Sequence, residues 1–177
     1  MDYLENNNIK LRAPEPFDLD ILYKWENNTD TWLAGSTITP FSKNIISKYL
    51  DTAHLDIYEA KQLRLMIDLK KENNRTIGSV DLFDFDPFHH RAGVGILIAE
   101  KADRKKGYAS EVLSALILYC FEILGLHQLY CNVSADNKAS LKLFQNLGFK
   151  ITGKKKEWIR RGNKYYDEYL LQLIHSD

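Results

Sequence analysis

Ile96-Leu97-Ile98-Ala99-Glu100-Lys101-Ala102-Asp103-Arg104-Lys105-Lys106-Gly107-Tyr108-Ala109 runs from an apolar stretch through a basic loop into the strongest helical pattern of the chain. Beyond it, Ala109, Val112, Leu113, Leu116, Ile117, Cys120, Phe121 and Leu124 recur at steps of three and four, the spacing of one buried helix face. Gly125 is placed to end that helix. The first N–H groups of a helix have no intrahelical acceptor, and the positive end of the dipole lies behind them. Gly107 lets the backbone approach an anion closely, while Arg104, Lys105 and Lys106 add charge. The stretch therefore predicts a strand, a phosphate-binding loop and a helix. It is neither the G-x-x-x-x-G-K-(S/T) loop nor G-x-G-x-x-G, which needs two more glycines.

Working outward, Leu63 to Leu69 and Thr76 to Phe85 read as strands around the polar turn Lys71-Glu72-Asn73-Asn74. Gly93 to Ala99 is a further strand after the Pro87 to His90 turn. Towards the N-terminus, Asn8 to Arg12 is a short strand, followed by a helix over Phe17 to Glu26 and a loop over Asn27 to Pro40. Ser42 is a helix N-cap, with Phe41 and Ile46 placed for a hydrophobic staple, and its helix is expected to run toward Ile57. Downstream, Gln128 to Val133 is a strand, and Asp136 or Asn137 caps a helix ending at Leu147. Gly148 is placed for the left-handed residue after it. Two tail strands, Lys150 to Ile159 and Tyr165 to Ile174, meet across Arg161-Gly162-Asn163-Lys164. This order predicts a mixed α/β (α+β) domain on one mostly antiparallel sheet.

The 177 residues fit one domain, 1–177, and 24 basic residues balance 24 acidic ones. That balance argues against a nucleic-acid partner. The longest apolar stretch, Val112 to Leu126, is too short and too polar for a membrane span. Met1 to Lys10 is no signal peptide. Cys120 and Cys131 fall in apolar runs, so no disulfide framework is indicated and a cytoplasmic setting is expected. Five scattered histidines suggest no metal site.

Arg104-Lys105-Lys106-Gly107-Tyr108-Ala109 matches (Q/R)-x-x-G-x-(G/A), and the chain thereby resembles the GNAT superfamily of N-acetyltransferases. Asn137-Lys138-Ala139-Ser140 and Leu147-Gly148-Phe149 are similar to that superfamily's N-x-x-(A/S) helix start and closing Gly-Phe. Lys10-Leu11-Arg12-Ala13-Pro14 resembles its opening. Two branches are most similar. The spermidine N-acetyltransferases share the His89 to Ala92 stretch and the Leu124 to Tyr130 run. The Rim-type enzymes, which acetylate ribosomal-protein N-termini, resemble the tail around Glu157, Gly162, Asp167 and Tyr169.

The resemblance implies acetyl-CoA as co-substrate and no metal. It places the strand Ile96, Leu97 and Ile98, the loop Arg104 to Ala109 and Asn137 at the cofactor, with that strand splayed from its neighbour at Val133 so that pantetheine pairs with it. It also implies a Tyr that protonates the departing thiolate, but the matching position is Phe144. Ser140 is the substitute acid and Glu157 the base expected from the Rim-type branch. Strand alternation sets Glu157 and Ile159 on one face, opposite Lys156 and Trp158. Other family members often carry a Glu where this chain has Gly93 and Gly95. Asp81, Asp84 and Asp86 are expected in salt bridges or turns.

The expected acceptor is a primary amine of a peptide N-terminus or small molecule. A polyamine is the alternative, weakened because Leu33 to Pro40 lacks the Glu residues of the spermidine branch. A non-catalytic acyl-CoA-binding module is the other. A homodimer is expected from the resemblance.

Overall fold

In the computed structural model, residues 3–32, 39–53 and 55–176 are described. Strands β1 (Ile9–Arg12), β2 (Leu63–Leu69), β3 (Arg75–Asp86), β4 (Arg91–Ile98), β5 (Gln128–Ser134), β6 (Lys150–Arg161) and β7 (Lys164–Ile174) form one sheet, ordered β1-β2-β3-β4-β5-β7-β6. The β4·β5 pair is parallel and the other pairs are antiparallel. Helices α5 (Tyr108–Glu122) and α6 (Lys138–Asn146) pack on one face. Val112, Leu113, Leu116 and Cys120 of α5 are almost fully buried there, against Val80, Val94 and Leu129. Each such aliphatic side chain contributes roughly 1.5–3 kcal/mol. On the other face, α1 (Leu19–Glu26) and α3 (Lys43–Asp51) bury Leu22, Trp25, Ile46 and Leu50 around Met66, with Leu97 and Ala99 at the margin.

The caps explain where the helices begin. The Ser42 hydroxyl accepts from the Ile45 amide, and Phe41 and Ile46 join one cluster as the staple requires. Asn137, rather than Asp136, caps α6 by accepting from the Ser140 amide. Gly148 has φ 92°, as its place after α6 demands.

Two expectations need correction. The helix capped by Ser42 does not reach Ile57: α3 stops at Asp51, and Asp56 starts a separate turn, α4 (Ile57–Ala60), by accepting from the Tyr58 and Glu59 amides. The segment after Asn27 is not all loop, because Thr29–Trp32 forms a short helix, α2. Residues 33–38, most of the stretch weighed against a polyamine, lie outside the described residues.

One break in the sheet positions the site. Strands β4 and β5 pair only at Arg91↔Gln128, Ala92↔Leu129 and Gly93↔Tyr130. Beyond that rung each stays with its outer neighbour, β4 with β3 up to Ile98↔Gly78 and β5 with β7 up to Ser134↔Glu168. The strands therefore part, leaving one backbone edge of Val94 to Ile98 without a strand partner among the described residues. Gly78 helps hold β4 against β3, since a Cβ there would come within 1.9 Å of the Leu97 carbonyl oxygen.

Candidate active site

Parallel strands end at the same end of a sheet, so the segments after β4 and β5 gather at the open end of the gap. After β4 comes the basic loop and the start of α5. Gly107 is the N-cap, at φ 87° and ψ −11°, and a Cβ on it would meet nothing within 4 Å. Among the described residues the five amides of 105–109 have no backbone acceptor, whereas those of Ser110 and Glu111 bond to the Gly107 carbonyl. Five bare N–H groups at a helix start form an anion-binding concavity. After β5 come Asn137 and Ser140, in the cap and first turn of α6.

The loop is anchored from beneath. Asp103 is buried and accepts two bonds from Arg75 on β3, at 2.8 and 2.9 Å, with Lys106 at 3.7 Å. These partners, the Arg75 hydrogen bond foremost, hold the Asp103 carboxyl below the usual carboxylate range. Arg104 donates from Nε and Nη2 to the carbonyls of Ile98 and Ala99, at 2.9 and 3.0 Å. Its guanidinium thus ties the loop to the end of β4, while Lys105 is exposed and Lys106 leans on Asp103.

On the α1/α3 face a cleft of about 510 Å³ opens between α1, α3, β2 and β3. Arg64 is its centre, bonded to Glu26 at 2.7 Å and to Asp81 at 2.6 Å and lying 5.7 Å from the centroid of the Tyr49 ring. Burial pushes the Tyr49 hydroxyl up. Asp81 stands directly beside Gly95 of β4, so the cleft ends at the parted strand.

Phe83 closes that end. A Cβ on Gly93 would come within 2.2 Å of its ring, and one on Gly95 within 3.8 Å. The aromatic ring occupies the space that a side chain on Gly93 would need. Tyr130 packs edge-on against Phe83 at 5.9 Å and donates its hydroxyl to Asp84 at 3.0 Å. Burial first, then Asp84, pushes the Tyr130 hydroxyl up to about 12, so it keeps its proton at neutral pH. A second cleft, about 420 Å³, lies beyond, with Asp84, Asp86, Tyr130 and Gln172 in its wall.

Residues 8–150 match the family described as the acetyltransferase (GNAT) domain. The chain belongs to the GNAT acetyltransferase family.

As a GNAT member it is an acetyl-CoA-dependent N-acetyltransferase. An uncharacterized N-acetyltransferase of Bacillus licheniformis, p20, is 26% identical over 100% of this chain and 98% of its own length. The L-amino acid N-acetyltransferase AaaT of Escherichia coli is 28% identical over 48% of this chain and 52% of itself. The solved spermidine N-acetyltransferase of Vibrio cholerae in complex with CoA and spermine has the same fold. It superposes with a TM-score of 0.85 at 23% identity, covering 96% of either chain.

The remaining sequence candidates of this GNAT protein divide. Ser140 is half-buried, and its hydroxyl makes no hydrogen bond among the described residues. Asn137 spends its side-chain oxygen on the cap. Phe144 is core: it is buried edge-on against Phe149 at 5.1 Å. Glu157 is exposed at φ 50° inside a bulge of β6, its amide donating to Asp167. That bulge corrects the expected alternation, because the register slips between Lys155 and Ile159 and no simple face assignment survives it. Asp167 pairs with Ala135 just past β5, which sets Glu157 beyond the end of that strand. Asp81 is in a salt bridge and Asp86 serves a turn, accepting from the Phe88 and His89 amides, both as expected.

Phe83, Tyr130, Arg64 and Arg75 were not among the sequence candidates. Only the two glycines on β4 hint at Phe83, since a strand glycine often marks close approach of another group. Among the described residues no group of three or more His, Cys, Asp or Glu side chains comes together as a metal would need. No helix among them is long and apolar enough to cross a membrane.

Proposed function

We propose that this protein moves the acetyl group of acetyl-CoA onto the primary amine of a small molecule or peptide N-terminus that enters from the α1/α3 face. The observation that carries this is the gap between β4 and β5 with bare amides at its open end. The loop amides of 105–109 hold the pyrophosphate, and the backbone edge of Ile96, Leu97 and Ile98, whose Ile98 carbonyl Arg104 already holds, pairs with pantetheine. β4 amides then face the thioester oxygen, where negative charge develops as the amine attacks. The tetrahedral intermediate collapses by breaking the carbon–sulfur bond. A chain of waters leading to Glu157 first takes one proton from the acceptor's ammonium, so that the free amine attacks. As the carbon–sulfur bond breaks, Ser140 passes its proton to the sulfur and takes back the second proton that the acylated nitrogen sheds. A thiol pKa near ~8.5 makes the thiolate a passable leaving group, which is why Phe144 in place of a Tyr is compatible with turnover.

Thiol release from acetyl-CoA, measured with spermidine, glucosamine and an alanyl dipeptide, tests this. Amine-dependent release is expected. Tight acetyl-CoA binding with no release for any amine would favour the non-catalytic acyl-CoA-binding module. A polyamine acceptor is the second reading, favoured by Glu26 and Asp81 in the larger cleft, although Arg64 neutralises part of their charge. The same reading includes a single domain over 1–177, a homodimer and a cytoplasmic setting. The last is supported by two free, buried thiols that burial pushes up to about 12.

A further inference from the structure

The base and the acid account for proton movement, but not for what holds the acceptor's ammonium beside the thioester. A carboxylate on β4 cannot do so, because Gly93 and Gly95 carry no side chain and Phe83 fills the space over Gly93. Strand alternation puts Phe83, Gly93, Gly95, Tyr130 and Asn132 on the α1/α3 face, since Leu82, Val94, Leu129 and Cys131 lie in the opposite core. The last rung before the strands part is Gly93↔Tyr130.

One carboxylate is brought to that rung. Between Phe83 and Asp86 the β3·β4 register slips, and Asp84 adopts φ 48°, a left-handed conformation that a non-glycine residue adopts at a cost. From there its Oδ2 accepts the Tyr130 hydroxyl at 3.0 Å. The contact joins β3 to β5 across β4 and is possible because Gly93 leaves the intervening strand bare. Tyr130 therefore fixes the direction of a carboxylate in the wall of the 420 Å³ cleft, at the closed end of the gap.

We propose that Asp84 is the carboxylate that receives the acceptor's ammonium beside the thioester, and that Tyr130 is the positioning residue that aims it. The assignment rests on the acetyl-transfer function above and adds a specificity determinant to it. Among the described residues no hydrogen bond reaches Asp84 Oδ1, so it can accept from the ammonium while Oδ2 is held by Tyr130. Asp86 does not compete, because it is tied to Arg91 at 3.2 Å and to the turn amides.

Steady-state thiol release with the amine panel, run on wild type, Asp84→Asn, Asp84→Gly and Tyr130→Phe, tests the assignment. Loss of a charge-assisted hydrogen bond is expected to raise KM for the best amine about 10- to 100-fold in both Asp84 variants. KM for acetyl-CoA should stay within twofold. Asp84→Gly separates binding from structure. Glycine relieves the left-handed strain but removes the acceptor of the Tyr130 hydroxyl, so a merely structural Asp84 predicts an effect on Tm alone and an unchanged amine KM. Tyr130→Phe should raise the amine KM less, and add nothing once Asp84 is Asn. Amine KM values within twofold of wild type in both Asp84 variants overturn the assignment. Wild type that releases no thiol with any amine overturns the acetyl-transfer function, and this inference with it.

Discussion

Replacing Gly107 by alanine and by glutamate separates what its backbone does from what the space in front of it does. At φ 87° any side chain is strained, by about 1–2 kcal/mol for a left-handed non-glycine residue. Nothing lies within 4 Å of a Cβ there, so no clash adds to this. Both variants should therefore lose a similar amount of stability, about 2–8 °C in Tm for a chain of this size. They differ in what they put before the five bare amides. A glutamate carboxylate can take those donors itself and repels phosphate. Losing two charge-assisted hydrogen bonds, at about 1.5–3 kcal/mol each, weakens acetyl-CoA binding by about 10²–10⁴-fold. Alanine should weaken it much less. Calorimetric titration with acetyl-CoA reads this directly, and acetylpantetheine, which lacks the pyrophosphate, should bind wild type and Gly107→Glu alike. A folded Gly107→Glu protein that binds acetyl-CoA within threefold of wild type would refute the phosphate site.

Asp103→Asn should cost about 1–3 kcal/mol, because it removes the charge and replaces one of the two buried oxygens that accept from Arg75 by an NH2 donor. Because the folded-state carboxyl is depressed, its stabilisation is present above the unfolded value of ~3.9 and is lost as pH falls through the folded value. The fall in Tm of wild type below about pH 4 should be shallower in the variant, as calorimetric scans from pH 7 to about pH 3 would show. Glu157→Gln should lower kcat/KM by about 10²-fold with acetyl-CoA affinity intact; wild-type turnover from about pH 6 to 9 would leave water as the proton sink. Phe144→Tyr should hold or raise kcat, most visibly below neutral pH, and a large fall with the fold intact would mean that the pocket is built around Phe and that another acid serves.

Where one local signal decided the structure, it was legible in the chain. The three-and-four spacing of Val112 to Cys120 gave α5, and the apolar run Leu63 to Leu69 gave β2 with its observed bounds. A cap at Asp136 or Asn137 and the left-handed Gly148 were visible for the same reason, and the structure decides for Asn137. The loop at Gly107 could be read because its chemistry lies in consecutive residues. What escaped depends on contacts between distant segments. The Arg64–Glu26–Asp81 cluster joins α1, β2 and β3, and no spacing announces it. Arg104 resembles a phosphate ligand in sequence, but its donors reach carbonyls that only the fold brings near. Bulges hid the rest. One extra residue in β3 turns Asp84 toward Tyr130, and a slip in β6 removes the alternation on which the placement of Glu157 depended.

The central claim is that the free edge of β4 receives pantetheine as if it were a further strand. Amide hydrogen exchange with and without acetyl-CoA tests it most directly. Exchange in peptides covering Val94 to Ile98 and residues 105–109 should slow on binding, while the paired rungs Arg91 to Gly93 change little. Binding that protects the loop amides but leaves Val94 to Ile98 exchanging as in the free protein would contradict it.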